Sequence, residues 1–334
     1  MSLNFQVSKN VILTGAGFTH NFGGFLAKTM WAMIHNRYQR YTQRLDENQL
    51  IKEFKRGFDY EEIYQVVVNQ NKYKKDEKEH LINSVFDVYD SLDSTVRNYR
   101  NSSQDVSIYQ INKFLSLMNH SNTEKTFFFS LNQDLFIERY FSDPRPVHPG
   151  LNISGARFIS QDKVLEANDY IAVPTLEELE RRKSDMSSLG NLYYVKLHGS
   201  FDWRDKNNEK VMVIGTNKTE NIKKEPILKW YHELFREVLN LSNRRLLIIG
   251  YGFRDKHINQ IIAEASNTYG LKVFIISPHD PEDYRKNVLQ VNQGWSDSIW
   301  NKALCGYYPY TLKEIFPMNG NNELYNSLIR DFFD

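Results

Sequence analysis

A chain of 334 residues that is 41% hydrophobic and 14% aromatic, with 20 Tyr and 21 Phe, buries a large core and is not an extended disordered protein. Its 42 basic and 41 acidic residues leave a formal charge of +1, so nothing global argues for nucleic acid or an anionic membrane as a partner. The single cysteine, Cys305, excludes an internal disulfide and a cysteine-built zinc site, and reads as a small buried apolar residue.

The first residues, Met1 to Gln6, lack the charged and apolar regions of a signal peptide, and no apolar run approaches bilayer length, so a cytoplasmic protein is expected. Asn10 to Thr14 is a β-branched apolar run that stops at Gly15, and the residues after Gly24 have helical spacing through Met30, Met33 and Ile34. This is a strand, a glycine-rich turn and a helix. From about 37 to 122 the signal is helical only and predicts a helical insertion. Asp59 with Glu62 gives a cap-like start, and stripes follow through Leu81, Val85, Tyr89 and Leu92 and through Ile108, Ile111, Phe114, Leu115 and Met118. The charged run from Lys72 to Lys78 reads as a solvated linker or helix start.

Strand signals return at 126–130, 192–197, 246–249 and 273–276. Each is a near-continuous apolar run of the kind buried on both faces of a parallel sheet. Helical segments fall between them, around 228–241 and 258–265. The pattern predicts an α/β protein: a single Rossmann-like domain over 1–334 built on a doubly wound parallel sheet, with the helical insertion at 37–122 and a smaller insertion at about 150–190. The three prolines within 142–150 make that stretch a loop.

Four segments end the apolar runs, and so stand where open parallel sheets bind ligands. Gly15-Ala16-Gly17 precedes a helix and suits either close approach to a pyrophosphate or tight strand-to-helix packing. Asn132 and Asp134 follow the second run, where Asn132 is either a helix cap or a site residue. His198-Gly199 follows the third, and a strand-end histidine suits general-base work. Gly250-Tyr251-Gly252-Phe253 follows the fourth, with Asp255 beyond it as a cap or a ligand contact. The remaining histidines (His20, His35, His80, His120, His148, His232, His257 and His279) have no such setting, and no pair has convincing metal spacing.

In that order and with those residue types, the segments resemble the sirtuin (silent-information-regulator) family of NAD-consuming enzymes over residues 10–280. The resemblance implies cofactor contacts from Gly15, Ala16, Gly17, Phe18, Thr19 and Gly23, from Gly250, Tyr251 and Gly252, and from Ser277 after the last run. It makes Asn132, His198 and Asp134 the catalytic set: Asn132 orients ribose or water, Asp134 organises the pocket and His198 takes a proton. Where the family continues with a Pro and a Phe-Arg pair, this chain has Phe25 and Ala27-Lys28. It also cannot supply the four-cysteine zinc ribbon of the protein deacylases. The combination is similar to prokaryotic sirtuin-like NAD hydrolases of anti-phage defence, which deplete NAD as an abortive-infection response. That resemblance implies NAD as substrate, no metal, and control by homo-oligomerisation or by a partner such as a HerA-type ATPase or an Argonaute-like protein. No membrane or nucleic-acid contact is implied. A protein deacylase and a non-catalytic NAD or ADP-ribose sensor are the alternatives.

Overall fold

The parallel ladder begins with the apolar runs. In the computed structural model, which describes residues 3–41, 49–99, 106–118, 123–141, 145–151, 159–290, 293–319 and 322–334, these runs become β1 (Gln6–Thr14), β2 (Glu124–Ser130), β4 (Leu192–Lys196), β7 (Arg245–Ile249) and β8 (Lys272–Ile276). Three short strands, β3 (Ile171–Ala172), β5 (Gly199–Arg204) and β6 (Lys210–Met212), and an edge strand β9 (Leu304–Tyr308) complete the set. The six-stranded sheet has the order β4-β2-β1-β7-β8-β9 and is parallel throughout. This is the α/β, Rossmann-like doubly wound arrangement.

Chain order runs outward from β1 in one direction through β2 and β4, then restarts beside β1 with β7. The point where the direction reverses, between β1 and β7, is where such sheets open a crevice at their carboxyl ends. The register makes that edge straight: Thr14 pairs with Ser130 and Ile249, Ser130 with Lys196, and Ile249 with Ile276. The four segments singled out in the sequence therefore emerge side by side.

Alternate residues of the strands feed two cores. Ile12, Phe128, Tyr194, Leu247 and Phe274 face one layer, which holds α2 (Ala27–Tyr41), α3 (Gln49–Arg56), α4 (Tyr60–Asn69), α5 (Lys75–Arg97) and α6 (Ile108–Met118) after the short α1 (Ala16–His20). Val11, Leu13, Phe129, Val195, Ile248 and Ile275 face the other, covered by α10 (Pro226–Leu239) and α11 (Lys256–Thr268). Between them in the chain lie α7 (Phe136–Tyr140), α8 (Leu176–Lys183) and α9 (Lys218–Lys224). Asp59 caps α4 by accepting from the Glu61 amide at 2.9 Å. Buried Arg139 on α7 grips Asp93 on α5 through two 3.0 Å bonds, fastening the helical layer to the strand-end region.

One expectation changes, and one feature is new. Cys305 is exposed, because it lies on the outermost strand of the sheet. Strands β3, β5 and β6 form a small separate sheet, whose central strand β5 starts at Gly199, directly after His198. His120, residues 142–144 of the proline loop, and parts of the 37–122 and 150–190 segments lie outside the described residues.

Candidate active site at the carboxyl edge of the sheet

A cleft of about 1130 Å³ runs along the carboxyl edge. Pockets for small ligands span about 300–1,000 Å³, so this one has room for a dinucleotide. Gly15, Ala16, Gly17 and Thr19 line it, as do Asn132, Asp134, His198, Gly250, Tyr251, Gly252 and Ser277. Two residues expected there lie elsewhere. Phe18 is 3% exposed and packs edge-on against Phe22, Phe128 and Phe136 in the core, because one turn of α1 directs it inward. Gly23 stands outside the cleft at φ +85°, in the turn that ends α1 beside Thr95.

The glycines at the switch point hold two loops together. A Cβ on Gly15 or Gly17 would come within 2.8 Å of the Gly250–Tyr251 backbone, and the Gly17 amide donates to the Gly250 carbonyl at 2.9 Å. Gly250 adopts φ +64°, and a Cβ there would stand 2.2 Å from the Phe18 nitrogen. The packing role of Gly15 and Gly17 is thus explicit, since the Gly17 amide is already occupied. Gly252 differs: nothing lies within 4 Å of its would-be Cβ, and it is exposed on the cleft.

Asn132 is not a helix cap. Its Nδ2 donates to the Gly15 carbonyl at 3.0 Å and to Thr19 Oγ1 at 2.8 Å, tying the β2 end to the β1–α1 turn. A carbonyl only accepts, so the amide orientation is fixed and Oδ1 is the remaining polar atom. Asp134 Oδ1 accepts from the Phe136 amide at 3.0 Å and starts α7, and burial raises its pKa. Behind it, Lys196 Nζ donates to the Asp134 carbonyl at 2.5 Å and pairs with Glu138 at 2.9 Å, all within the protein interior.

His198 is 4% exposed, and burial holds its pKa well below the ordinary value, leaving the ring a neutral base. Its carbonyl accepts from Gln133 Nε2 at 3.0 Å, while Gln133 also donates to the Val213 carbonyl at 2.8 Å and accepts from Tyr89 of α5. Gln133 is a clamp on the histidine turn that the sequence did not flag. Asp255 stands at the N-cap position of α11 without a side-chain capping bond. It meets Lys218 Nζ at 2.8 Å, and Lys218 also meets Glu61 of α4 at 2.9 Å. Burial favours the neutral acid, but the Lys218 ammonium, which donates to the carboxylate, overrides it and holds Asp255 down to about 2.

Three histidines that looked unrelated in the sequence meet here. Among the described residues, one ring nitrogen from each of His198, His232 and His257 lies within 4.8 Å of those of the other two. His232 comes from α10 and His257 from the first turn of α11. Their separations of tens of residues carry no local metal signature; the packing of α10 against β4 and of α11 against α10 joins them.

A family model for the SIR2-like domain matches residues 126–296, just over half of the chain. The chain belongs to the SIR2-like domain family. The match runs from within β2 to the short helix at Gly294–Asp297, and so includes Asn132, Asp134, His198, the Gly250–Gly252 loop and Ser277. Such domains use NAD, so an NAD-related activity follows. No curated protein matches the sequence. Among the described residues, no helix of this SIR2-like protein is long and apolar enough to cross a membrane.

Proposed function

We propose that this SIR2-like protein hydrolyses NAD at the bond between nicotinamide and ribose, releasing nicotinamide, ADP-ribose and a proton. The observation that supports the reading best is the meeting of Asn132, Asp134 and His198 with the Gly250–Gly252 loop on one cleft, in a chain whose single cysteine cannot build a zinc ribbon. Loss of nicotinamide leaves an oxocarbenium-like ribose, whose positive charge is favoured by nearby negative charge and fixed dipoles. Asn132 would accept from a ribose hydroxyl or the attacking water through Oδ1, its Nδ2 being committed to Gly15 and Thr19. Neutral His198 would take the water proton as the new C–O bond forms. Asp134 would hold the Asn132–Phe136 turn and add negative potential beneath the ribose.

An NAD-depleting effector in anti-phage defence, self-assembled or docked on a HerA-type ATPase, is part of the same proposal and rests on the sirtuin-like resemblance. Purified protein incubated with NAD alone is expected to yield ADP-ribose. Formation of product only after an acylated peptide is added would instead favour the deacylase. Asn132→Ala and His198→Ala are each expected to lose about 10²–10⁴-fold in turnover with unchanged circular dichroism. Undiminished turnover in both removes the assignment.

A further inference from the structure

We propose that His198, His232 and His257 form a three-nitrogen site for a borderline divalent cation of the zinc class, with a fourth position open to the cleft. Occupancy would silence NAD cleavage by taking His198 as a ligand.

The geometry carries the cation site. Tetrahedral zinc with metal–nitrogen bonds of about 2.05 Å places neighbouring ligand nitrogens about 3.3 Å apart. His198 Nε2 and His257 Nε2 stand 3.4 Å apart. The outer limit of 4.8 Å for the trio is longer, so a bound cation would draw the third ring inward. His232 is prepared for this: its Nε2 lies 2.9 Å from the Leu197 carbonyl, which can only accept, so Nε2 carries the proton and Nδ1 keeps its lone pair. A metal-bound histidine commonly donates its other nitrogen to a carbonyl in this way, and the bond fixes the ring's tautomer.

The surrounding charges suit a cation. Burial keeps all three rings in the neutral form that ligates metals. Asp255 supplies a nearby carboxylate, and the Lys218 ammonium beside the cluster is already engaged by Asp255 and Glu61. His198 and His257 both line the cleft, so the site is reachable and a water or chloride can complete it. Three nitrogens with one open position match the coordination that zinc accepts outside closed structural sites.

The inhibitory half of the proposal rests on the hydrolase reading; the binding half does not. Full-length protein stripped with chelator and titrated with Zn²⁺ in a calorimeter is expected to bind one equivalent, and Co²⁺ in its place should give the visible absorption of a tetrahedral site. His232→Gln keeps a donor for the Leu197 carbonyl while deleting the ring nitrogen. It should weaken binding by more than about tenfold, the reduction that even an outer partner of a ligand can cause. His257→Phe should do the same. Absence of stoichiometric binding in the wild-type protein, or binding that both variants retain in full, overturns the site.

In the activity arm, Zn²⁺ should inhibit wild-type NAD cleavage over the range in which it binds, while His232→Gln stays active at those concentrations. Binding without inhibition overturns the silencing role. Binding as expected in a protein that cleaves no NAD would leave the cation site standing and remove the hydrolase.

Discussion

Gly250 and Gly252 sit two residues apart in one loop, yet they answer to different physics. Gly250 is held at φ +64° with its Cα against the backbone of Gly17 and Phe18. Gly250→Ala therefore adds left-handed strain of about 1–2 kcal/mol to an overpacking cost of about 1–3 kcal/mol. Denaturant unfolding should show a loss of that combined size or no folded protein at all. Gly252→Ala meets nothing within 4 Å and should change stability by less than about 0.5 kcal/mol. Because it faces the cleft, its effect belongs in the KM for NAD. Equal destabilisation by the two substitutions would contradict this division. The sequence motif marked both positions and could not separate them, since the close approach involves Gly17, more than 230 positions earlier. Phe18 shows the same limit: its neighbours in sequence line the cleft, but its side chain follows the turn of α1 into the core.

The strands with both faces buried were legible because each is a continuous apolar run, and β1, β2, β4, β7 and β8 all appeared where such runs stood. Strand β9 was not, since Leu304-Cys305-Gly306-Tyr307-Tyr308 lies at the sheet edge and is only partly buried. Strand β5 hides Asp202 and Arg204 inside, so its composition reads as polar surface. The ends of β4 and β2 are likewise joined by a device that composition disguises. Lys196 is fully buried; it links the Asp134 carbonyl to Glu138 on α7, whose carboxyl is held down to about 2, with burial opposing and Lys196 and His148 prevailing. Removing one partner strands the other charge in the interior, which costs about 3–5 kcal/mol. Lys196→Met should lower the urea midpoint by that equivalent, and adding Glu138→Gln should recover part of it. If the double variant is as unstable as the sum of the singles, the two groups do not act as a pair.

The helical layer and the sheet enclose the cleft jointly. Asp59, Tyr60 and Glu61 at the start of α4, and Tyr89 and Leu92 on α5, line it opposite the strand ends. Glu61 reaches across to Lys218, Tyr89 to Gln133 beneath the His198 turn, and Arg139 on α7 back to Asp93 on α5. The stripes on these helices were legible as core-facing, but their outward polar ends gave no sign of what they approach, because each partner is distant in sequence. A ligand that fills the cleft contacts both layers and should rigidify both. Saturating NAD added to His198→Ala, where turnover is suppressed, should slow amide exchange in peptides covering 250–252 and 276–279 and, in the same experiment, in those covering 59–61 and 89–92. At a hundredfold excess over its dissociation constant, NAD should also raise the unfolding free energy by about 2.7 kcal/mol. Protection confined to the strand-end peptides would mean that the helices only roof the core. Protection of both would make the helical layer part of the site, so that a partner docking on those helices could change the cleft without touching a strand.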